Sequence, residues 1–278
     1  MRVILTYFIY TGWVKNTSTS TLAFDIAQFF PLLNHQILPL ILNKARFNSK
    51  ILSFFYNYLV DRKSTYLWNN FSSPSFNVDV GGSQVSALSP LLFVLYLSPI
   101  LHIFEKQLKN LKIPISILSF IDNVFFVTQN KSLIVSNLHL LCSYHIISSL
   151  LKQFRLILKY RKMEVFYFSR SHRIFDLPSL DLILLGGPIL LSKNTWQYLR
   201  FIFDRKLTFQ QHIEFYTNKA ISTIKCINML RNSSRGLIPT QKWLLYRSCV
   251  LPITPYGFQL WYYNKTPLLY SLKELRKM

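Results

Sequence analysis

Acidic residues are scarce in this sequence. Eleven Asp and Glu stand against 32 Lys and Arg in 278 residues, which gives a formal net charge of +21 at pH 7. A surplus of this size predicts a polyanionic partner, either nucleic acid or an anionic membrane surface, and we favour nucleic acid. The surplus is uneven, since residues 1–130 hold 10 basic and 5 acidic residues and residues 131–278 hold 22 and 6. We therefore expect the C-terminal half to contact a phosphate backbone; the alternative is a basic surface that only keeps the chain soluble.

Cysteine and glycine are also rare. The three cysteines, Cys142, Cys226 and Cys249, lie far apart and lack metal-ligand spacing. Their odd number and wide spacing argue against a disulfide-rich scaffold and against a zinc finger. We expect them to be small buried hydrophobes. With no secretion signal in the sequence, we expect the chain to act inside the cell, in the nucleus or the cytoplasm.

Hydrophobic residues are abundant, at 50% of the chain, and can form a sizeable core. Residues 80–104 and 132–151 carry no formal charge and are long enough to span a membrane. Pro90 and Pro99 interrupt the first stretch, and two His interrupt the second. We predict that both are buried helices and expect no stable membrane association; the alternative is a membrane protein.

Apolar periodicity predicts short strands between longer helices. The predicted strands lie at residues 22–26, 115–121, 124–128, 165–168 and in the segment YLRFIF, with a hairpin at 64–80. Helices are predicted in the segment that follows His35, at 90–105 with Ser89 as N-cap, at 133–154, and in two basic segments after Trp196. Residues 1–20 are weakly patterned. The Pro-, Gly- and Ser-rich segment near residues 175–195 predicts a domain boundary.

Two carboxylates interrupt apolar strands. Asp25 lies in LAFDIAQFF and Asp122 in LSFIDNVFFV, and neither has Arg or Lys beside it. An ionised carboxylate is rarely buried unless it is paired or binds a metal. Two carboxylates from separate strands suit Mg²⁺, which prefers hard oxygen ligands. The sequence predicts that Asp122 and Asn123 form a two-residue turn between the strands at 115–121 and 124–128. The alternatives to a metal site are that Asp25 caps or ends a strand and that Asp122 is an ordinary turn residue.

Five short motifs follow one another between about residue 12 and residue 263. They read AFDIAQFFPLLNH, SQVSALSPLLF, SFIDN, KMEVFYF and YLRFIFDRKLTFQQHI. Their order and separations resemble those of the reverse transcriptase of non-LTR (LINE-type) retrotransposons. The resemblance implies an α+β fold, in which a polymerase palm (an antiparallel sheet backed by helices) is followed by a helical thumb.

The resemblance also implies a metal site and its substrates. Asp25 and Asp122 would be the catalytic carboxylates, and they would bind two Mg²⁺ (or Mn²⁺) ions together with Asn123 and the carbonyl of Ile26. The ions would activate a primer 3′-hydroxyl and bind the triphosphate of a deoxynucleoside triphosphate. The implied partners are an RNA template and a DNA primer.

Further positions match residues that contact nucleotide or primer in this family. Phe30 matches the bulky residue that excludes a ribose 2′-hydroxyl, Gln84 a residue near the incoming nucleotide, and Lys162 a residue near the phosphates. Each has a plainer interpretation, respectively a core aromatic, a polar loop residue and a surface lysine. The triplet Tyr198, Leu199 and Arg200 matches the primer grip.

Three residues depart from the family pattern. Asn123 stands where the family has a second Asp, and it lacks a negative charge that would offset the two ions. Val85 stands where Gly allows the backbone to approach a ligand closely. Arg200 replaces the Gly of the primer grip. These departures predict that catalytic activity is impaired.

The domains expected from the resemblance are a remnant at residues 1–20, the palm at 21–190 and the thumb with a basic C-terminal region at 191–278. Only about twenty residues precede Asp25, where family members carry fingers, so we expect the fingers to be largely missing and the copy to be truncated and degenerate. The predicted function is an RNA-directed DNA polymerase of impaired activity. The alternative is an inactive remnant that binds nucleic acid.

Overall fold

The structure is a computed structural model that describes residues 2–27, 29, 33–69, 71–78, 80–82, 88–120, 123–170, 182–184, 189–229 and 236–262. Its chain divides into two compact units. The first comprises residues 20–165 and 178–191, and the second comprises residues 2–19, 166–177 and 192–278. The unit boundaries fall within the first and the ninth strands. The predicted domain limits at residues 20 and 190 stay predictions.

The elements alternate between short strands and longer helices, in the following order. They are α1 (Arg2–Val14), β1 (Ser18–Ala27), α2 (Ile37–Lys44), α3 (Ser49–Leu59), β2 (Lys63–Ser64), β3 (Leu67–Trp68), β4 (Phe71–Ser72), β5 (Phe76–Asn77), α4 (Ser89–Asn110), β6 (Ser116–Phe120), β7 (Asn123–Asn130), α5 (Leu133–Gln153), β8 (Ile157–Leu158), β9 (Glu164–Phe168), β10 (Leu182–Ile183), β11 (Ile189–Leu190), β12 (Thr195–Tyr198), β13 (Phe201–Asp204), α6 (Gln210–Met229), α7 (Pro239–Leu245) and α8 (Phe258–Trp261). A 3₁₀ turn at Tyr160–Lys162 and a π-helical turn at Tyr246–Val250 complete the series.

The main sheet has five strands in the order β6-β7-β1-β8, with β9 also paired to β1. Strand β1 lies inside this sheet, and eight of its ten residues are buried, which explains its nearly unbroken apolar and hydroxylated sequence. Its Phe24 ring packs edge-on against Phe126 of β7 at 5.0 Å between centroids. Together with the helices this sheet confirms the predicted α+β class.

The β6–β7 hairpin is confirmed, but its turn is displaced by one residue from the prediction. The two strands pair antiparallel from Ser116↔Val127 to Phe120↔Asn123. Asn123 is therefore a strand residue, and Ile121 and Asp122 lie outside the described residues. The prediction of an Asp122–Asn123 turn was wrong because Asn tolerates turn conformations without requiring one, and pairing with Phe120 keeps Asn123 extended.

Helices α4 and α5 pack against each other, and α5 also packs against β7 and β8, as helices that back a sheet do. The prediction of these two helices is confirmed. The N-cap of α4 is Leu88, so the assignment of Ser89 was wrong by one residue. Both helices are long and apolar enough to cross a membrane by length and composition alone, with mean hydropathies of 1.3 and 1.4, which is weak support for a membrane span.

The predicted hairpin at residues 64–80 consists of two short ladders, one beyond the other. Strand β2 pairs with β5, and β3 pairs with β4 at the tip. Every residue of these four strands is exposed. The ladders therefore form a β arm that contributes no buried strand residue to the core.

The second unit combines α1, the β12–β13 hairpin, and the C-terminal helices. Helix α1 was missed from sequence, although its buried Leu5, Ile9 and Trp13 recur at helical spacing. The segment YLRFIF was predicted as one strand, and this was wrong. Its first residue ends β12, its last three begin β13, and Leu199 and Arg200 make the turn between them.

The cysteines differ from the prediction. Cys142, Cys226 and Cys249 are all exposed and form no disulfide. Each lies on the outer face of a helix or helical turn, where the periodicity of the buried residues turns it towards solvent. Their expected role as buried hydrophobes was wrong, because that expectation used residue type alone and ignored the helical phase.

Candidate functional site

The buried carboxylate of Asp25 is the central feature of the first unit. Strand β1 continues into a pairing with β8 at Ile26↔Leu158 and Ala27↔Ile157, and the backbone N–H of Lys159 donates to the Asp25 carbonyl at 2.9 Å. Asp25 is 6% exposed, and its buried neighbours Phe24 and Ile26 are apolar. The sheet thus holds a buried ionisable group at a fixed place.

Lys162 forms an ion pair with this carboxylate. Its Nζ donates to Asp25 Oδ2 at 2.7 Å, and 57% of its side chain is exposed. The 3₁₀ turn that carries Lys162 lies between β8 and β9, both of which pair with β1, so the sheet brings the lysine to the aspartate. The resemblance predicts that Lys162 lies near the phosphates of the nucleotide. It does not predict the contact between Lys162 and Asp25.

The second oxygen of Asp25 has a different environment. Oδ1 is buried and has no hydrogen-bond partner among the described residues. A buried polar atom without a partner is costly in a protein interior, and such atoms often mark a site for a ligand or an ion. Since carboxylate oxygen is the ligand that Mg²⁺ prefers, Asp25 fits the metal that the resemblance implies.

The other predicted metal ligands are only partly placed. Asn123 begins β7 opposite Phe120 and is partly buried, and Ile26 is buried on β1. Asp122 lies outside the described residues, as do Phe30, Gln84 and Val85. Within the described part of the chain no group of three or more His, Cys, Asp and Glu is positioned to hold a metal ion.

The triplet Tyr198, Leu199 and Arg200 lies at the turn of the β12–β13 hairpin in the second unit. Tyr198 pairs with Phe201, so Leu199 and Arg200 are the two turn residues. Both have positive φ, at 48° and 62°. Two-residue hairpin turns with this geometry favour Gly or Asn because other side chains are strained there. The Gly that the family has in place of Arg200 therefore has a conformational reason.

Two tyrosine hydroxyls support this turn. Tyr216 of α6 donates to the Arg200 carbonyl at 2.6 Å, and Tyr256 donates to the Leu199 carbonyl at 3.3 Å. Arg2 donates to the Tyr256 hydroxyl at 2.8 Å, and its guanidinium lies 5.1 Å from the centre of the Tyr256 ring. The turn thus accepts hydrogen bonds from two separate segments of the second unit, and Arg2 supports one of the two donors.

His212 of α6 lies beside the same hairpin and is 1% exposed. Its Nδ1 accepts from the Ile202 N–H at 3.2 Å, so its Nε2 carries the proton and donates to the Tyr256 carbonyl at 2.9 Å. Burial lowers the pKa of His212 to about 4. The ring stacks on Phe201 at 3.8 Å between centroids. A neutral histidine therefore joins β13 to the C-terminal segment.

Sequence reasoning missed these supporting residues. His212 and Tyr216 were treated as parts of a basic amphipathic segment, Tyr256 was not assigned to any element, and Arg2 was in the unassigned N-terminal segment. A signal for two of them exists, since His212 and Tyr216 lie four residues apart on one face of a helix. The distant contacts of Arg2 and Tyr256 carry no sequence signal.

Comparison with known proteins supports a reverse-transcriptase-like chain. No family model matches the sequence. A probable RNA-directed DNA polymerase from transposon BS of Drosophila melanogaster is 32% identical over 79 residues, which are 28% of this chain and 9% of that protein. The match therefore spans only a small part of that relative.

The fold is similar to that of solved telomerase structures from Candida tropicalis. The telomerase in complex with a TWJ fragment of telomeric RNA superimposes with a TM-score of 0.53 over 92% of this chain and 41% of its own, at 13% identity. The apo telomerase truncated from its C-terminal domain gives 0.50 over 73% and 38%, also at 13% identity. The chain thus has an α+β fold similar to that of these telomerase structures.

Proposed function

We propose that this chain is the palm and thumb of an RNA-directed DNA polymerase from a non-LTR retrotransposon. Its partners are an RNA template, a DNA primer and deoxynucleoside triphosphates, and it acts inside the cell. The observation that carries the proposal is the buried carboxylate of Asp25, held on an inner strand of the sheet with Oδ1 lacking a partner among the described residues. The similarity to telomerase in fold and the short match to a transposon polymerase support it.

Asp25 and Asp122 would hold two Mg²⁺ ions with Asn123 and the Ile26 carbonyl. When bound, such ions stabilise the attacking and leaving oxygens of phosphoryl transfer. The protein's own contribution is to fix Asp25 at a buried position, where few competing water molecules reach the carboxylate. Lys162 neutralises Asp25 Oδ2 when no ion is present. The positive charge of residues 131–278 attracts the template–primer backbone.

We further propose that polymerisation by this chain is impaired. Asn123 contributes an amide oxygen where a second carboxylate would neutralise more of the ions' charge. Lys162 competes with a metal ion for Asp25, since its Nζ lies 2.7 Å from Oδ2. Arg200 places a side chain at a turn position with φ of 62°, next to the predicted primer contact. All three features weaken metal or primer binding without altering the fold.

The second candidate is a protein that binds nucleic acid without polymerising it. The Asp25–Lys162 ion pair favours it, because this contact compensates the buried charge without any metal. Binding of this kind depends on the surplus of Lys and Arg and should fall steeply as salt rises. It should also survive the loss of Asp25, whereas polymerisation should not.

The experiment is Mg²⁺-dependent primer extension on an RNA template, with the natural chain, Asn123→Asp and Asp25→Ala. We expect weak or no extension by the natural chain, faster extension by Asn123→Asp, and none by Asp25→Ala. The matched control is Asn130→Asp, which adds the same charge at the far end of β7. Extension that rises equally in both Asp variants would reflect charge alone.

Salt-dependent binding to a template–primer duplex is measured on the same four proteins. Full binding with no extension by any of them would overturn the polymerase proposal and leave the second candidate. Vigorous extension by the natural chain would overturn the proposed impairment. Extension that persists in Asp25→Ala would show that polymerisation does not require Asp25.

A further inference from the structure

The exposed β arm at residues 63–77 carries a row of aromatic rings, and we refer to it as the aromatic arm. Trp68 and Phe71 are directly paired across the β3–β4 ladder, so their side chains project from the same face. Tyr66 precedes Trp68 by two residues and lies on that face as well. The Tyr66 ring stacks on Phe76 at 5.1 Å between centroids and 28° between planes. Four rings therefore follow one another along the arm.

These rings are far more exposed than core aromatics. The exposed fraction is 77% for Trp68, 71% for Tyr66, 65% for Phe71 and 39% for Phe76. Isolated exposed apolar residues are ordinary on protein surfaces, but a contiguous aromatic surface marks an interaction site. The β3–β4 ladder and two hydrogen bonds between Tyr66 and Ser73 hold the arm backbone in place. The Tyr66 N–H donates to the Ser73 hydroxyl, and the Ser73 N–H donates to the Tyr66 carbonyl. The arm thus presents a preformed face.

The charge and polarity around these rings indicate what they bind. Residues 64–78 contain no charged side chain, and the sequence flanks this segment with two cations, Arg62 and Lys63, and two carboxylates, Asp61 and Asp79. Arg62 lies over the Tyr58 ring and donates to the Gly81 carbonyl, while Lys63 is exposed. Asn69, Ser72 and Ser75 are exposed polar residues of the arm. No carboxylate within residues 64–78 repels a polyanion, and the whole chain carries +21.

We infer that the aromatic arm binds single-stranded nucleic acid by stacking bases on Tyr66, Trp68 and Phe71. Every base offers a π-face, so a row of exposed rings binds bases with little sequence preference, while nearby cations contact the backbone. This contact is separate from the Asp25 site and from the basic C-terminal half. It needs neither a metal ion nor polymerisation, so it stands or falls independently of the proposed function.

The test compares two oligonucleotides of about 12 nucleotides, one with bases and one abasic, in a fluorescence anisotropy assay without Mg²⁺. We expect the double variant Trp68→Ala/Phe71→Ala to bind the base-bearing strand roughly tenfold more weakly than the natural chain. The abasic strand should bind both proteins equally, because it lacks the stacking partner. The dependence of affinity on salt should stay unchanged, because no cation is removed.

Two further variants separate stacking from other causes. Trp68→Leu keeps an apolar side chain but removes the ring, and it should weaken binding; Trp68→Tyr keeps a ring and should restore it. Tyr7→Ala removes a ring of similar exposure, 68%, outside the arm and should have no effect. Circular dichroism checks that each variant is folded.

Three results would overturn the inference. One is equal binding of the base-bearing strand by the natural chain and the double variant. Another is an equal loss of affinity for the base-bearing and abasic strands. The third is a change from dimer to monomer in sedimentation when the rings are removed, which would make the arm a contact between copies of this chain.

Discussion

The two units each contain an aspartate on a strand, and the structure uses the two carboxylates differently. Asp204 ends β13 and accepts hydrogen bonds at both oxygens, from the Phe209 N–H at 2.7 Å and from the Thr208 N–H and hydroxyl at 2.9 and 3.0 Å. Asp25 has the Lys162 contact at Oδ2 and no partner among the described residues at Oδ1. The Asp204 carboxylate is satisfied locally, whereas that of Asp25 is not.

This difference separates a structural carboxylate from a candidate ligand. Asp204 organises the turn that leads from β13 into α6, and its partners lie within five residues of it. Among the described residues, Asp25 has an ion pair with a lysine 137 positions later in the chain. A charge that is held by one exposed lysine can be released to a metal ion. A charge held by several backbone N–H groups cannot be released without unfolding the turn.

The largest effect is expected in the second unit, at His212, which has a hydrogen-bond partner at both ring nitrogens. His212→Leu keeps a similar volume but leaves the Ile202 N–H and the Tyr256 carbonyl without their partner. We expect the free energy of unfolding to fall by about 3 kcal/mol, since two buried groups lose a hydrogen bond. Urea denaturation measures it, and His145→Leu, which changes an exposed histidine, should cost little. Equal stability of the two variants would contradict the role of His212.

The second prediction concerns pH. Because the pKa of His212 is lowered to about 4 in the folded chain, the unfolded chain binds an extra proton between pH 4 and 6.5. Its contribution to stability is therefore complete above pH 6.5 and is lost as pH falls towards 4, by about 3 kcal/mol. Thermal melts across this range measure the loss. The slope should become shallower in His212→Gln, and an unchanged slope would mean that other groups cause it.

A smaller effect is expected in the first unit, at the ion pair between Asp25 and Lys162. Lys162→Met removes the cation from a buried carboxylate and should lower the free energy of unfolding by roughly 2 kcal/mol, because the lysine is half exposed and the full buried-pair cost does not apply. The matched control Lys159→Met removes a neighbouring exposed lysine and should cost much less.

Added Mg²⁺ sharpens this prediction. If a metal ion and Lys162 compete for Asp25, Mg²⁺ should raise the melting temperature of Lys162→Met more than that of the natural chain. Asp25→Asn combined with Lys162→Met should abolish the response. A response to Mg²⁺ that is the same in all three proteins would place the ion elsewhere.

The smallest effect is expected at the β12–β13 turn. Arg200→Gly relieves a side chain held at φ of 62° and should stabilise the chain by about 1 kcal/mol, or raise the melting temperature by roughly 3 °C. Gln197→Gly, an exposed position within β12, should instead destabilise it, because glycine weakens a strand. A loss of stability in Arg200→Gly would mean that the arginine side chain makes a contact that outweighs its strain.

Much of the fold was accessible from sequence because long apolar periods identify helices and strands directly. Helices α4 and α5, strands β1 and β9, and the β6–β7 hairpin all lie close to their predicted positions. Errors occurred where one residue decides a boundary, as with Ser89 and Asn123, or where a short segment folds back, as at Leu199 and Arg200. In each case hydrogen-bond pairing outweighed the local preference of the residue type.

The candidate site was predictable only in part. The unusual carboxylate in an apolar strand pointed to Asp25, since burying a charge is costly wherever it occurs. Its pairing with Lys162 was not predictable, because the two residues meet only through the pairing of β8 and β9 with β1. The roles proposed for Asp122, Phe30 and Gln84 stay predictions.

The sequence alone determined that the chain is strongly basic and that it can form an apolar core. It also determined the order of the five motifs and, through the resemblance that these motifs carry, the expected α+β class. These depend on residue type and spacing, which are local. Only the tertiary structure decided which polar groups are satisfied: that Asp25 meets Lys162, that His212 is neutral between β13 and Tyr256, and that the rings of the aromatic arm face solvent. These depend on contacts between segments far apart in the chain, which a local pattern does not encode.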